Sequence, residues 1–151
     1  MTEARLYTTR RLAIVGAIVD KLALINGDGV YVTDVGGNVH PRLKYWDEIE
    51  EFPSICVNAG AETREYQGGG YKDRFLNVKI TCYVNEEDPV SALEALMEDV
   101  ETCLEENSRL MYTTRSGKVG YTQMITILSL DTDEGVMAPL GIGEILCEVR
   151  Y

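Results

Sequence analysis

Apolar positions recur along the chain in two alternating rhythms. Over residues 8–25, Ile14, Ile18, Leu22 and Ile25 follow one another at spacings of four and three, joined by Val15 and Val19. That is the period of a helix with one buried face. Asn26-Gly27 supplies a stop, because either residue tolerates a left-handed backbone. The next stretch, GDGVYVTDVGGNVHPRLKYWDEIEEFPS, is rich in Gly, Asp and Asn and predicts turns around a short strand, Val30 to Thr33. LKYWDEIEEF predicts one or two helical turns before Pro53. From Ser54 the rhythm changes to two. SICVNAG predicts a buried strand and AETREYQ a more polar one. In DRFLNVKITCYV, Leu76, Val78, Ile80, Cys82 and Val84 fall on one side and Phe75, Asn77, Lys79, Thr81 and Tyr83 on the other.

NEEDPVSALEALMEDVETCLEEN carries the strongest helix signal. Asp88 is placed to cap the N-terminus, and Pro89 stands at the first helical position, where its missing N–H costs nothing. Val90, Leu93, Leu96, Met97, Val100, Cys103 and Leu104 form an apolar stripe. Glu94, Glu98, Asp99, Glu101 and Glu105 read as a solvated acidic face. A turn-rich stretch, SRLMYTTRSGKVG, leads to the β-branched strand YTQMITILSLDTD, the loop EGVMAPLG and a final strand, IGEILCEVRY. A chain that ends inside a strand has its terminus tied into the sheet. The expected fold is a single α+β domain over 1–151, a mainly antiparallel sheet with two helices packed on one face, in which Leu93, Leu96, Val100 and Leu104 cover Val78, Ile80 and Cys82.

Charge then narrows function. The net charge of −11 argues against a nucleic-acid binder that works by neutralising phosphates. No apolar run reaches the length of a transmembrane helix. The segment RRLAIVGAIVDKLALI reads poorly as a signal peptide, since Asp20 and Lys21 interrupt it and no A-x-A site follows. Cys56, Cys82, Cys103 and Cys147 are widely separated, each in an apolar context, and His40 is the sole histidine. They are expected to be reduced, buried thiols, with no disulfide and no metal site. No Ser or Cys triad is visible, and no cofactor motif.

Three consecutive glycines, Gly68-Gly69-Gly70, raise the question of a phosphate cradle. Such a loop follows a strand and opens a helix. These glycines lead into a strand instead, and the Gly141-Ile142-Gly143 run also precedes one, so both are expected to be hairpin or loop glycines. The first hairpin carries Arg64 and Glu65 outward and Lys72, Asp73 and Arg74 on the return. An exposed, charged hairpin suits a contact arm as well as a plain surface turn.

The order of elements resembles the tail terminator, or tail completion, proteins of long-tailed bacteriophages and their relatives among head–tail connector proteins. The likeness rests on the apolar N-terminal helix, on FLNVKITCYV running directly into the acidic turn, Pro89 and amphipathic helix, and on the ending GIGEILCEVRY. It covers most of residues 8–151. It includes no counterpart for residues 27–53. The resemblance implies a structural protein of the virion tail or neck, assembled in the host cytoplasm. It would be a homo-hexameric ring that caps the tail tube protein, ends tube polymerisation and presents a joining surface to a head-completion or connector protein. DNA would pass through such a ring without specific binding. The hairpin, with Gly68, Gly69, Gly70, Tyr71, Lys72 and Arg74, is then the expected site of subunit or tube contact, and Arg115 and Lys118 form a second basic candidate. The alternatives are another neck protein, or a small α+β enzyme or binding module whose site shows no recognisable motif.

Overall fold

The computed structural model describes residues 9–114 and 117–151. Helix α1 (Arg10–Leu22) is capped by Thr9, whose side chain accepts from the Leu12 N–H. The helix ends three residues before the apolar period does, and Ile25 completes the buried row from the turn that follows. Then come the two-residue strand β1 (Val39–His40) and one 3₁₀ turn at Trp46–Glu48. Strands β2 (Ser54–Tyr66) and β3 (Lys72–Asn85) form a long hairpin. Helix α2 (Pro89–Glu106) follows, with Asp88 accepting from the Ser91 N–H and Pro89 in the first turn. A small ribbon of β4 (Met111–Thr113) and β5 (Val119–Tyr121) precedes β6 (Met124–Thr132) and β7 (Leu140–Arg150).

The main sheet has the order β1-β2-β3-β7-β6, antiparallel except for the β1–β2 pair. SICVNAG and AETREYQ are one strand, β2, interrupted between Ala59 and Glu62 by a shift in register. The shift explains why the stretch reads as two pieces: before it Val57 and Ala59 face the helices, and after it Glu62, Arg64 and Tyr66 do.

Both helices lie on the same side of the sheet. Ile14, Val15, Ile18 and Leu22 of α1 and Leu93, Leu96, Met97, Val100, Cys103 and Leu104 of α2 share one core with the inward rows of β3 and β7. Burying each such side chain contributes roughly 1.5–3 kcal/mol, so this layer dominates stability. On the opposite side, Ile49, Cys56 and Tyr83 form a smaller cluster under the segment 41–53, which Tyr83 ties down by donating to the Lys44 carbonyl at 2.6 Å.

Four details depart from expectation. Val30–Thr33 forms no strand. Its Val32 and Thr33 N–H groups donate to Asp99 instead, at 3.1 and 2.7 Å, and Thr33 Oγ1 donates to the same carboxylate. Asp99 is therefore buried, 2% exposed, and does not belong to the solvated face. Val90 leaves the apolar stripe and is exposed. Gly141 and Gly143 lie inside β7, not in a loop. A Cβ on Gly143 would stand 2.6 Å from Met97 Sδ and 3.1 Å from Leu93, so the missing side chain lets α2 approach the sheet.

Candidate functional site: a cationic hairpin and cleft on an acidic chain

The glycine run is the tip of the β2–β3 hairpin. Gly68–Gly70 make a single 3₁₀ turn in which Gly69 and Gly70 take φ of 78° and 82°, a region that a Cβ disfavours. The Gln67 N–H closes the turn on the Tyr71 carbonyl at 2.7 Å. It is a chain reversal with no helix behind it to present N–H groups to an anion.

Register sorts the hairpin's charges by sign. Arg64 pairs with Arg74, Glu65 with Asp73 and Tyr66 with Lys72. Side chains directly opposite each other share a face. Arg64, Lys72 and Arg74 thus stand with Tyr66 on the helix side, while Glu65 and Asp73 stand on the other. Like charges facing each other destabilise a hairpin, and neighbouring groups compensate. Arg64 pairs with Glu62 at 2.8 Å, and Asp73 with Arg150 at 3.1 Å. The Lys72 ammonium lies 5.7 Å from the Tyr66 ring centre and the Arg74 guanidinium 5.5 Å from that of Tyr151.

At the base of this hairpin opens a cleft of about 620 Å³. Among the described residues, five cations line it: Arg10 and Arg11 from α1, Arg64, Arg74 and Lys118. Among the described residues, no Asp or Glu is in its lining. Among the described residues, five of the chain's 14 Lys and Arg residues therefore gather at one place on a protein of net charge −11. Tyr112 and Tyr151 form the apolar floor, edge to face at 6.3 Å. The framework is tied behind the cleft. Arg11 donates to the Gly60 carbonyl and the Tyr151 hydroxyl to Glu62. Burial pushes the Glu62 carboxyl up, but donation from Tyr151 and Arg64 outweighs it and holds the group below its ordinary value. Burial, followed by that same bond, raises Tyr151.

The structure thus brings Arg74 and Lys118 into one cleft and sets Gly68, Gly69, Gly70, Tyr71 and Lys72 beyond it at the exposed tip, with Tyr71 76% exposed. Arg115 lies outside the described residues. Arg10, Arg11, Tyr112 and Tyr151 complete the site and were not singled out by sequence. They come from three separate stretches that only tertiary structure joins. Arg64 and Arg74 alone carried a usable signal: their symmetric placement about the glycines puts them on the same face.

Among the described residues, nothing in this cleft resembles a reaction centre. Among the described residues no cluster of His, Cys, Asp and Glu is suited to hold a metal, and no helix is long and apolar enough to cross a membrane. All four cysteines are free and buried. Burial pushes the Cys82 and Cys147 thiols up to about 12, which makes them poor nucleophiles. What the molecule offers is shaped, charged surface.

Comparison with known proteins gives that surface a setting. The family model for the bacteriophage tail tube terminator protein matches residues 8–151. The chain belongs to this family. A relative in Escherichia phage T5, the tail tube terminator protein p142, is 34% identical, with 93% of this chain and 92% of the relative covered. Among solved structures, a chain of the virion of a native gene transfer agent particle superposes with a TM-score of 0.63 at 14% identity, covering 91% of this chain and 93% of that one. At that identity the match speaks to fold alone. As a tail terminator the chain is a structural protein of the virion tail.

Proposed function

We propose that this terminator acts as a closed ring of six copies that seats on the end of the tail tube, stops further addition of tube protein and gives the head's completion or connector protein a surface to join. The observation that carries the reading is family membership across residues 8–151. The geometry supports it. The fold has no reaction centre among the described residues, and its uncommitted chemistry lies at its periphery, as assembly requires. A ring of identical chains uses heterologous contacts, one patch meeting a different patch on the neighbour, and closes by rotation.

The hairpin residues Gly68, Gly69, Gly70, Tyr71, Lys72 and Arg74 make contacts to the neighbouring subunit or the tube in this reading, with Arg115 and Lys118 contributing a second basic contact. On a chain this acidic such cations steer docking and set register more than they add affinity. Six copies would carry six times the net charge, so DNA passing through the lumen would be repelled rather than held. The role requires no bond making and no cofactor.

The test is to add the purified chain to tube protein of its own phage while the tubes are growing. Tubes are expected to stop lengthening, with labelled chain at one end only. Tubes that grow at the same rate and carry no terminal label would refute the reading.

A further inference from the structure

The edge of the sheet furthest from the cationic cleft is built in the opposite sense. Among the described residues, β6 has no strand on its outer side. From Met124 to Leu130 it carries no charge, although natural edge strands are usually guarded by charges or prolines. Leu128 is 50% exposed and Leu130 46%. Between β6 and α2 runs an open groove in two adjoining parts, of about 390 and 800 Å³, that share Glu101 and Leu130. Its apolar groups, among them Leu128 and Leu130, are flanked by Glu94, Glu98, Glu101 and Glu105, with Asp131 and Glu134 at one end, and among the described residues no Lys, Arg or His lines either part.

The β2–β3 hairpin has the matching chemistry. Tyr66 and Tyr71 stand 73% and 76% exposed at its tip, and Lys72 lies beside Tyr66. Exposed tyrosines anchored by a cation suit a groove with an apolar floor and a carboxylate wall, since an aromatic ring supplies contact area at low entropy cost and an ammonium meets the carboxylates. The groove lies along β6 and the hairpin extends from β2 and β3, with β7 between those strands in the sheet. A hairpin that serves a groove of this type on a second copy makes a heterologous contact, the kind that closes into a ring.

We infer that the hairpin tip of one copy, through Tyr66, Tyr71 and Lys72, seats in the α2–β6 groove of the next copy against Leu128, Leu130 and the carboxylates of Glu98, Glu101 and Glu105. This rests on the ring reading and names the surface that receives the hairpin. The register shift between Ile127 and Ser129 breaks the regular edge of β6. The contact is therefore one of side chains in a groove and not of a strand added to the sheet.

Rings assembled on tail tubes from an equal mixture of ¹⁵N-labelled and unlabelled full-length chain are treated with a carbodiimide, which joins a lysine directly to a carboxylate. The expected product links Lys72 of one isotope to Glu98, Glu101 or Glu105 of the other. In parallel, Lys72→Glu with Arg74→Glu, and Glu98→Lys with Glu105→Lys, are each expected to lower ring occupancy about tenfold when used alone, the equivalent of about 1.4 kcal/mol for the assembly as a whole. Mixed in equal amounts they should alternate around the ring and recover most of the occupancy, which neither a folding defect nor a general loss of charge would allow. Rings that form normally with Lys72 linked only to tube protein, or a mixture no better than its parts, would overturn this contact while leaving the ring standing. An absence of any ring from the unaltered chain would remove both.

Discussion

The centre of the sheet and its edges are made from the same alternating strands, yet they do different work. In the centre, β3 and β7 are paired on both sides, and their inward rows, Leu76 to Val84 and Ile145 to Val149, are closed over by α2. The apolar side chains of those rows are packed against one another and the helices within the chain. At the periphery the hairpin carries like charges opposite each other, and β6 leaves leucines in solvent. Those features cost the free protein some stability. In the proposed ring the centre keeps the chain folded and the edges meet the neighbours.

That division is sharpest for Leu96, fully buried between α2 and the sheet. Leu96→Ala is expected to destabilise the fold by about 2–5 kcal/mol, read as a shift in denaturant midpoint. A loss under half a kilocalorie would mean that the centre is not where stability resides. Asp99 tests a less obvious part of the same layer. It joins α2 to the segment 30–33 through two backbone N–H groups and the Thr33 hydroxyl. Asp99→Ala strands those donors and should cost about 1–3 kcal/mol, whereas Glu98→Ala, one residue away on the exposed face, should be nearly silent. Equal effects would erase the distinction between the two faces of α2.

Glu62 sits at the boundary between the two regions. Its folded value lies below the ordinary 4.5, so its contribution is fully present above that pH and fades as pH falls through the folded value. Glu62→Gln should therefore weaken the protein at neutral pH and make progressively less difference in acid, as followed by unfolding at a series of pH values. A gap between the two proteins that widens on acidification would contradict the pairing with Tyr151 and Arg64. The smallest effects belong to the edge. Leu130→Ser and Lys72→Glu should each change the stability of the free chain by no more than about 0.5 kcal/mol while impairing assembly. Loss of the fold in either would break the contrast between centre and edge.

Where periodicity reports burial, the fold was legible. The inward rows of β3, β7 and α2 follow from spacing, because each lies in a regular element packed on one side. Elements whose shape depends on distant partners were not. Val30 to Thr33 has the residues of a strand, but Asp99 takes its N–H groups. Asp99 reads as solvated by charge, although its position three residues after Leu96 and four before Cys103 already puts it in the buried stripe. The register shift in β2 is also silent in the sequence, and it decides which residues of its outer half stand on the helix side. The cleft is assembled from Arg10, Arg11, Arg64, Arg74 and Lys118, which no local pattern connects. The hairpin was readable because its halves are symmetric about three glycines.

The central claim is that copies of this chain close into a ring at the end of a tail tube. Electron cryomicroscopy of the tails, with averaging restricted to the end where the tube meets the head, tests it most directly. The account predicts a single layer of six α+β domains following the last layer of tube protein, each with its hairpin directed at a neighbour. Tube protein continuing to the connector without such a layer, or this chain found elsewhere in the particle, would contradict it.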